Sequence, residues 1–437
     1  MSDRTFYIRT YGCQMNASDS ERIAGTLIDS GYSMTASADE ADLVILNTCS
    51  IREGAENKVY SELGRLRIAE AERDAPMKVA VAGCVAQQEG VRLLSRDRNV
   101  DLVFGSRAIT RLPELLPRME AGERLTEVDV HTRPDLPDAA IRTDPHRAWI
   151  TIMEGCDNHC AFCVVPATRG PEISRTPEGV VAETAQLAEE GYVEVTLLGQ
   201  NVTSYGGNLT CGTDFSMLLR RVAAVPGIRR VRFTTGHPKD FTPAVIDSMA
   251  DLPEVCGHLH LPMQSGSDRI LEAMGRGYTY GEYRDKIRRL RERLPEVAIT
   301  TDLIVGFPGE TEADFEATLA AVREIGFANL YGFKYSRRPG TSALSLPGHL
   351  DDEVRSERLS RLIALQKQIT LAYHESLVGT TREVLVEGVS KKDVERLSGR
   401  LENNVLVHFT GDLEWVGSFR PVRITQASVS ALIGEAV

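Results

Sequence analysis

Three cysteines within eight residues restrict the fold of this chain more than any other feature of its sequence. Cys156, Cys160 and Cys163 follow the spacing CxxxCxxC. Three thiolates do not complete the closed tetrahedral site of a structural zinc ion, and no histidine follows at the spacing of a zinc finger. They can bind three irons of a [4Fe-4S] cluster and leave the fourth iron open to a small chelating molecule. The segment therefore has to fold as a loop that brings three thiols together; a purely structural metal loop is the alternative.

The remaining composition is typical of an enzyme with several packed cores. Of the 437 residues, 42% are hydrophobic and 26% are charged, and this length favours about three domains. The absence of an apolar run of roughly 18 residues and of a hydrophobic signal region predicts a cytoplasmic protein. Eight cysteines are too few for the disulfide framework of a secreted domain. The net charge of −12 argues against a generally basic nucleic-acid surface but leaves room for a local basic track.

Residues 4–120 are predicted to form an open parallel sheet with helices between its strands. The predicted strands are Phe6–Thr10, Asp42–Thr48, Lys78–Ala82 and Asp101–Phe104, and the predicted helices include Ser20–Asp29 and Val91–Ser95. Ser18 and Glu21 fit a capping box at the start of the first helix. Cys13, Cys49 and Cys84 each lie at or just beyond the carboxyl end of one predicted strand. Because such ends meet in one crevice, the three thiols are expected to converge; three separate buried thiols are the alternative.

A linker at residues 121–141, which contains Pro134 and Pro137, precedes a second α/β domain at residues 142–375. The predicted strands of this domain are Trp149–Met153, Val193–Leu198, Val231–Thr235, His258–Leu261, Ile299–Val305 and Leu330–Tyr335. Six parallel strands with helices between them favour an incomplete barrel of six βα units. The CxxxCxxC loop then follows the first strand, at the face where βα barrels place their active sites.

Residues 376–437 are predicted to form a small antiparallel β-barrel. Arg382–Val389, Val405–Phe409 and Trp415–Thr425 are rich in valine and aromatic residues and are separated by glycines. Residues 377–437 contain 7 Lys and Arg against 8 Asp and Glu, so composition alone does not indicate RNA binding.

Several longer motifs, in order along nearly the whole chain, resemble the methylthiotransferase family of radical S-adenosylmethionine (SAM) enzymes. They are Tyr11–Asn16, Asn47–Glu53, Ala82–Cys84, Arg169–Arg175, Leu198–Val202, Leu261–Ser267 and Thr301–Glu310. The resemblance implies an N-terminal domain with three cysteines, a partial (βα)6 radical SAM core and a C-terminal TRAM domain. It is closest to the tRNA branch known as MiaB, chiefly through Gln14–Asn16 and Ser50–Glu53.

This resemblance implies transfer of a methylthio group to C2 of N6-isopentenyladenosine at position 37 of tRNA, next to the anticodon, with two SAM molecules per turnover. An aromatic C–H of this kind is beyond ordinary acid-base catalysis, so a cofactor-derived radical suits the reaction. By the same resemblance, the CxxxCxxC cysteines bind the [4Fe-4S] cluster that cleaves SAM. Cys13, Cys49 and Cys84 bind an auxiliary [4Fe-4S] cluster whose open iron presents the sulfur.

The partners implied are the tRNA, an electron donor of the flavodoxin or ferredoxin type and a sulfur source, with no membrane partner and a monomeric chain. Two alternatives within the family are methylthiolation of a ribosomal protein and of threonylcarbamoyl adenosine in tRNA. An alternative of another class is a non-catalytic iron-sulfur protein that binds RNA.

Contacts to SAM and RNA are predicted from position in the sequence, and no catalytic residue is assigned beyond the cluster ligands. The candidates for SAM are Phe162 beside the open iron, Gly199 and Gln200 after the second barrel strand, and Asp302 on the fifth. Radical SAM proteins often carry Gly-Gly-Glu at the end of the second strand, and this chain lacks that Glu. The candidates for RNA are Arg338 after the sixth strand and Lys391, Lys392 and Arg400 in the C-terminal domain. His237, at a strand end before Pro238, is a further candidate for the active site.

Overall fold

Alternating apolar strands and helices over residues 4–127 build a parallel sheet. The structure, a computed structural model, describes residues 4–50, 53–73, 76–129, 140–391 and 393–437, without the side chains of residues 53–57. The strands of this region are β1 (Arg4–Thr10), β2 (Tyr32–Met34), β3 (Leu43–Thr48), β4 (Lys78–Gly83), β5 (Leu102–Phe104) and β6 (Leu125–Glu127). The helices are α1 (Gln14–Asp29), α2 (Glu53–Ala71), α3 (Cys84–Glu89), α4 (Val91–Arg96) and α5 (Leu112–Glu120). The strand order is β2-β1-β3-β4-β5-β6, and each neighbouring pair is parallel.

The centre of this sheet is buried on both faces because helices cover both sides, and this confirms the predicted open parallel sheet. Ile45 of β3 belongs to the same apolar cluster as Leu27 of α1. Its neighbour Val44 points to the other face and belongs to the same cluster as Leu63 of α2. The two strands that the sequence did not reveal, β2 and β6, are three residues long and each contains a polar residue. They therefore lack the apolar run that made β5, a strand of the same length, recognisable.

The first helix begins earlier than the sequence predicts. α1 starts at Gln14 with Cys13 as its N-cap, so Ser18 and Glu21 lie inside the helix and the predicted capping box is wrong. The Glu21 carboxylate instead accepts hydrogen bonds from the backbone N–H and the hydroxyl of Thr143, at 3.0 and 2.9 Å. Residues three apart also share one face within a helix, so this spacing alone does not identify a helix start.

Residues 147–375 contain the second set of alternating elements. The strands are β7 (Arg147–Thr151), β8 (Met153–Glu154), β9 (Ile173–Ser174), β10 (Glu194–Leu198), β11 (Arg230–Phe233), β12 (His258–His260), β13 (Ala298–Val305) and β14 (Asn329–Lys334). The helices are α6 (Val165–Arg169), α7 (Pro177–Glu189), α8 (Phe215–Ala223), α9 (Pro243–Asp251), α10 (Asp268–Ala273), α11 (Tyr280–Arg293), α12 (Glu312–Ile325) and α13 (Asp352–Glu375).

Two parallel three-stranded sheets, β7-β10-β11 and β12-β13-β14, supply the predicted barrel strands. A parallel bridge from Val231 on β11 to Val255 continues the pairing towards β12. The predicted succession of six βα strands is therefore confirmed. β8 and β9 lie outside it and form a short antiparallel pair.

The C-terminal residues form a closed β-barrel, as predicted. Its strands are β15 (Thr381–Val389), β16 (Leu397–Arg400), β17 (Leu406–Thr410), β18 (Phe419–Ala427) and β19 (Leu432–Ala436), in the order β15-β16-β17-β19-β18. The β17–β19 pair is parallel and the other pairs are antiparallel. Val384, Val407 and Ile424 fill the interior of the closed barrel.

The chain divides into two compact units. The first contains Met1–Thr143, Met153–Asn158 and Val164–Gly179, and the second contains Asp144–Ile152, His159–Cys163 and Val180–Val437. Two segments that the sequence assigned to the barrel domain thus belong to the N-terminal unit. The cause is a set of buried ion pairs that joins them to α1.

Helix α13 has the length of a membrane span but not the composition. Its 24 residues include eight Asp, Glu, Lys and Arg side chains. Among the helices of the described residues, none is both long and apolar enough to cross a membrane.

Candidate functional site

The three N-terminal cysteines lie at one edge of the parallel sheet. Strands β1, β3 and β4 are neighbours and run in the same direction, so their carboxyl ends meet at this edge. Cys13 is the N-cap of α1, Cys49 directly follows β3, and Cys84 is the first residue of α3. We call these three residues the N-terminal cysteine edge.

Two glycines allow the strand ends at this edge to approach each other closely. A Cβ atom on Gly12 would lie 2.5 Å from Cβ of Cys49, and one on Gly83 would lie 2.4 Å from the carbonyl oxygen of Thr48. The φ angles of Gly12 and Gly83 are +151° and +88°, which residues with a side chain rarely adopt. Each glycine directly precedes a cysteine, so it lets the chain turn and bring the thiol to the edge.

Two asparagines from the family motifs hold α1 against β3. The Asn16 side chain donates hydrogen bonds to Oδ1 of Asn47 and to the carbonyl of Thr48, at 3.2 and 2.9 Å. In return, Nδ2 of Asn47 donates to the carbonyl of Asn16 at 2.7 Å. Both asparagines are fully buried. The motif residues therefore fix the distance between the segments that carry Cys13 and Cys49.

The environment of Cys13 favours its thiolate form. A hydrogen bond from Cys49 is the main cause that lowers the pKa of the Cys13 thiol to about 6. Burial opposes this change, whereas Arg169 and the backbone N–H groups of Asn16 and Met15 support it. A thiolate is the form of cysteine that binds metal. In the described part of the chain, no group of three or more His, Cys, Asp or Glu side chains is arranged to hold a single metal ion.

A chain of buried ion pairs lies behind the N-terminal cysteine edge. Nη2 of Arg169 donates to Oδ2 of Asp19 at 2.6 Å. Arg22 contacts Oδ1 of Asp19 at 3.4 Å and Oε1 of Glu154 at 3.0 Å. Burial by itself lowers the pKa of the Arg169 guanidinium, but Asp19, Cys84, Glu154 and Cys13 raise it well above its ordinary value. The sequence did not reveal this group because its members are up to 150 residues apart.

Cys156, the first cysteine of CxxxCxxC, is held by a tight backbone contact within the first unit. Its N–H donates to the carbonyl of Gly170 at 3.2 Å. A Cβ atom on Gly155 would lie 2.0 Å from the carbonyl oxygen of Pro171, so only glycine fits before this cysteine. Nδ2 of Asn158 donates to Sγ of Cys156 at 3.6 Å.

Cys160 and Cys163 lie in one turn of the second unit. The N–H of Cys163 donates to the carbonyl of Cys160 at 3.0 Å. Between them, the N–H of Ala161 donates to the carbonyl of Met274 at 2.8 Å, which fastens the turn to the end of α10.

Arg276 is a site residue that the sequence interpretation missed. Its Nη1 donates to Sγ of Cys160 at 3.2 Å, and its Nη2 donates to the carbonyl of Pro262 at 3.1 Å. Gly275 and Gly277 on either side have φ angles of +69° and +67°. An arginine between two glycines just after a helix is the signal that sequence reasoning could have used. The contact places a buried positive charge beside one of the three CxxxCxxC cysteines.

The residues predicted to contact SAM have different environments. Phe162 packs against an apolar cluster that includes Met274 and Phe307. Gly199 is buried and Gln200 is half-buried, and both directly follow β10. On β13, Oδ1 of Asp302 lies 3.5 Å from Nε2 of His260. Their contact with SAM stays a prediction.

His237 is a neutral, buried side chain at the end of the segment that follows β11. Its Nδ1 accepts a hydrogen bond from the N–H of Lys239 at 3.1 Å, so its proton lies on Nε2. Burial is the main cause that holds the pKa of His237 well below its ordinary value, and Arg276, Lys239 and Lys286 add to it. Its ring meets that of Tyr278 edge to face at 5.8 Å. Within the described residues, Nε2 has no hydrogen-bond partner.

Three protein families match successive parts of the chain. Residues 5–105 match the uncharacterized protein family UPF0004, residues 150–322 match the radical SAM superfamily, and residues 375–437 match the TRAM domain. Full-length relatives decide the family. A tRNA-2-methylthio-N(6)-dimethylallyladenosine synthase from Geobacter metallireducens is 47% identical over 99% of this chain and 98% of its own length. A protein of the same name from Moorella thermoacetica is also 47% identical, with 99% and 98% coverage.

The chain belongs to the tRNA-2-methylthio-N(6)-dimethylallyladenosine synthase family. The predicted resemblance to radical SAM methylthiotransferases is thereby confirmed. Among solved structures, the radical SAM methyltransferase TsrM from Kitasatospora setae has a TM-score of 0.56 at 16% identity, with 78% of this chain and 75% of that chain covered. The cobalamin-dependent SAM radical enzyme OxsB has a TM-score of 0.54 at 12% identity, with 84% and 56% coverage. At these identities the likeness shows the fold alone.

The TRAM domain is attached to the barrel strands by buried arginines. Arg232 on β11 donates to the carbonyls of Glu402 and Leu401 at 2.6 and 2.8 Å. Its Nε lies 3.0 Å from Oε2 of Glu194, the first residue of β10. Arg230, the first residue of β11, also donates to two TRAM carbonyls. The domain therefore contacts residues near the amino ends of β10 and β11.

The predicted RNA contacts that the structure describes have different environments. Nε of Arg400 lies 3.2 Å from Oε1 of Glu387 within the TRAM domain, and Arg338 is buried. Lys391 is exposed, whereas Lys392 lies outside the described residues. RNA binding by these four cations stays a prediction, with Lys391 the most accessible of the three that are described.

We predict that Gly83→Ala destabilises the iron-free protein and lowers its iron content after reconstitution. The added methyl group would lie 2.4 Å from a backbone oxygen of β3, so the strand ends would have to separate. Gly122→Ala is the matched control, because Gly122 has a similar φ of +93° but nothing within 4 Å of its Cβ position.

The control substitution is expected to lower the free energy of unfolding by about 1–2 kcal/mol, because alanine disfavours the positive φ angle. Gly83→Ala is expected to lower the free energy of unfolding by about 1–3 kcal/mol more than the control does, because the added methyl group overpacks the strand ends. Denaturant unfolding measures both values, and iron analysis measures cluster binding. Equal free energies of unfolding for the two variants would contradict the close approach at the N-terminal cysteine edge.

Proposed function

We propose that this chain transfers a methylthio group to C2 of N6-isopentenyladenosine at position 37 of tRNA, with two SAM molecules consumed per turnover. The observation that carries the proposal is the presence of two three-cysteine sets, one at the edge of the N-terminal sheet and one after the first barrel strand. Three cysteines leave one iron of a [4Fe-4S] cluster without a protein ligand. Relatives that cover the full chain carry the name of this activity.

The cysteine environments fit thiolate ligands in both sets. Cys13 is stabilised as a thiolate by Cys49, by Arg169 and by the first backbone N–H groups of α1. Sγ of Cys160 accepts a charge-assisted hydrogen bond from Arg276. The radical SAM match implies SAM and one [4Fe-4S] cluster; an auxiliary cluster on Cys13, Cys49 and Cys84 is our proposal.

The protein residues prepare the site for radical chemistry. When bound, the open-site cluster supplies the electron that cleaves SAM and yields a radical able to attack an unactivated aromatic C–H. Arg276 holds Cys160 in place and offsets part of the negative charge of the ligand thiolates. His237 offers an N–H donor without a positive charge, because its buried ring stays neutral. Phe162 is half-buried against Met274 and Phe307 and gives the turn that carries Cys160 an apolar side.

The remaining partners follow from this chemistry. The TRAM domain is proposed to bind the tRNA body while the barrel receives the target base. An electron donor of the flavodoxin or ferredoxin type and a separate sulfur source are needed, and the enzyme is proposed to act as a monomer. A tRNA substrate and reduced thiols favour reaction in the cytoplasm.

Substitution of one cysteine in each set is predicted to block a different part of the reaction. Cys160→Ala should abolish formation of 5′-deoxyadenosine, because two ligands do not hold the open-site cluster in its working state. Cys49→Ala should retain 5′-deoxyadenosine formation but yield no methylthiolated product, because the auxiliary site lies elsewhere. Anaerobic assays with isopentenylated tRNA, followed by mass analysis of nucleosides, measure both outcomes.

Cys211→Ala is the control for loss of a thiol, since Cys211 is exposed and has no assigned role. It should leave both products unchanged. Threonylcarbamoylated tRNA and ribosomal protein serve as alternative substrates for the intact enzyme. Methylthiolation of either one in preference to isopentenylated tRNA would overturn the proposed substrate, and full product formation by the Cys49 variant would overturn the auxiliary site.

The TRAM domain is predicted to bind tRNA electrostatically through Lys391 and Lys392. Lys391→Glu combined with Lys392→Glu should weaken tRNA binding and make its salt dependence shallower, because each lost phosphate contact lowers the slope by roughly one. Filter binding of isopentenylated tRNA over a salt series measures the slope. Lys367→Glu, which changes an exposed lysine on α13, is the control and should change neither quantity by a comparable amount. If the double variant and the control show the same salt dependence of binding, Lys391 and Lys392 do not bind the RNA.

A further inference from the structure

A buried arginine beside the N-terminal cysteine edge has a hydrogen-bond donor that the described chain does not satisfy. Arg169 ends α6, which packs against α3, the helix that begins at Cys84. Its Nη2 is bound to Asp19 on α1, the helix whose N-cap is Cys13. Its Nη1 is buried and, among the described residues, has no hydrogen-bond partner. The guanidinium thus lies between the segments that carry two of the cysteines, with one edge fixed and one unsatisfied.

An unsatisfied N–H of a buried guanidinium indicates that an acceptor binds there. Leaving such a charged donor without a partner is costly, and native proteins rarely do so. The charges lead to the same conclusion. The guanidinium groups of Arg169, Arg22 and Arg107 are set against the carboxylates of Asp19 and Glu154. These three guanidinium groups and two carboxylates together carry one net positive charge. Cys13 and Cys84 both interact with Arg169 electrostatically. An anionic acceptor for Nη1 would balance this charge, and the two cysteines that interact with Arg169 are the groups expected to hold one.

We propose that Nη1 of Arg169 donates a hydrogen bond to an anionic sulfur atom of the group bound by Cys13, Cys49 and Cys84. This inference rests on the proposed function, which assigns an auxiliary cluster to these cysteines. Arg169 is then a positioning residue, because Asp19 fixes the guanidinium and the guanidinium orients the sulfur. The sulfur belongs either to the cluster itself or to the atom that its open iron presents for transfer. A hydrogen bond and a positive charge at this sulfur stabilise the reduced cluster and raise its reduction potential.

The test measures the potential of the auxiliary cluster alone. Full-length protein with Cys156→Ala, Cys160→Ala and Cys163→Ala binds iron only at the N-terminal cysteine edge. In this background, Arg169→Gln should lower the equilibrium constant for reduction by about tenfold or more, which corresponds to about 59 mV for one electron. Arg22→Gln is the control, because it removes a buried arginine that pairs with the same Asp19. It should change the potential far less than Arg169→Gln does, at a similar loss of thermal stability.

Arg169→Lys keeps the inference testable if the Gln variant does not fold. A lysine has a single ammonium group and does not span both Asp19 and the sulfur, so a lowered potential is expected here as well. Redox titration before and after addition of sulfide distinguishes the two possible sulfur atoms, one in the cluster and one on its open iron. An effect of Arg169 without added sulfide assigns the hydrogen bond to the cluster, and an effect only after addition assigns it to the sulfur on the open iron.

Equal potentials for the Arg169 and Arg22 variants, with or without sulfide, would overturn this inference while leaving the auxiliary cluster in place. A different result would show that the proposed function itself is wrong. If the triple-alanine protein with intact Arg169 binds no cluster, the auxiliary site itself is wrong, and the role of Arg169 is overturned with it.

Discussion

The close approach of three parallel strand ends is the constraint on which the N-terminal site depends. Gly12 and Gly83 let the carboxyl ends of β1, β3 and β4 come within a distance that a single Cβ atom would prevent. Asn16 and Asn47 then fix α1 to the end of β3 through buried hydrogen bonds. Strand order, backbone conformation and side-chain hydrogen bonds all hold the strand ends together at this edge. Three cysteines distant in sequence are thereby brought to one edge of the sheet.

Buried charge links this edge to the rest of the first unit. Asp19 on α1 binds Arg169, and Arg22 on the same helix binds Glu154. Buried ion pairs of this kind contribute little net stability, although removing one partner is strongly destabilising. Their value here is positional, because they hold the segments after β7 in a defined place beside α1. They also leave a positive charge where the proposed chemistry requires an anionic sulfur.

The sequence predicted most of the architecture but only part of the site. Long apolar runs such as Leu43–Thr48 and Ala298–Val305 were recognisable as strands because burial imposes their composition. Tyr32–Met34 was not, because it is short and its central residue is polar, so it shows no apolar run. The cysteines were visible through spacing and strand ends. Arg169 and Arg276 were not, because their roles depend on partners that are distant in sequence and meet only in the folded chain.

Iron content per chain tests the central claim, which is that this protein holds two open-site clusters rather than one. The measurement combines iron and sulfide analysis with Mössbauer spectroscopy on the anaerobically reconstituted full-length protein. Two [4Fe-4S] clusters predict about eight irons per chain, all in four-iron clusters. About four irons per chain in protein that still methylthiolates tRNA would contradict the account, because a single cluster would then suffice for the reaction.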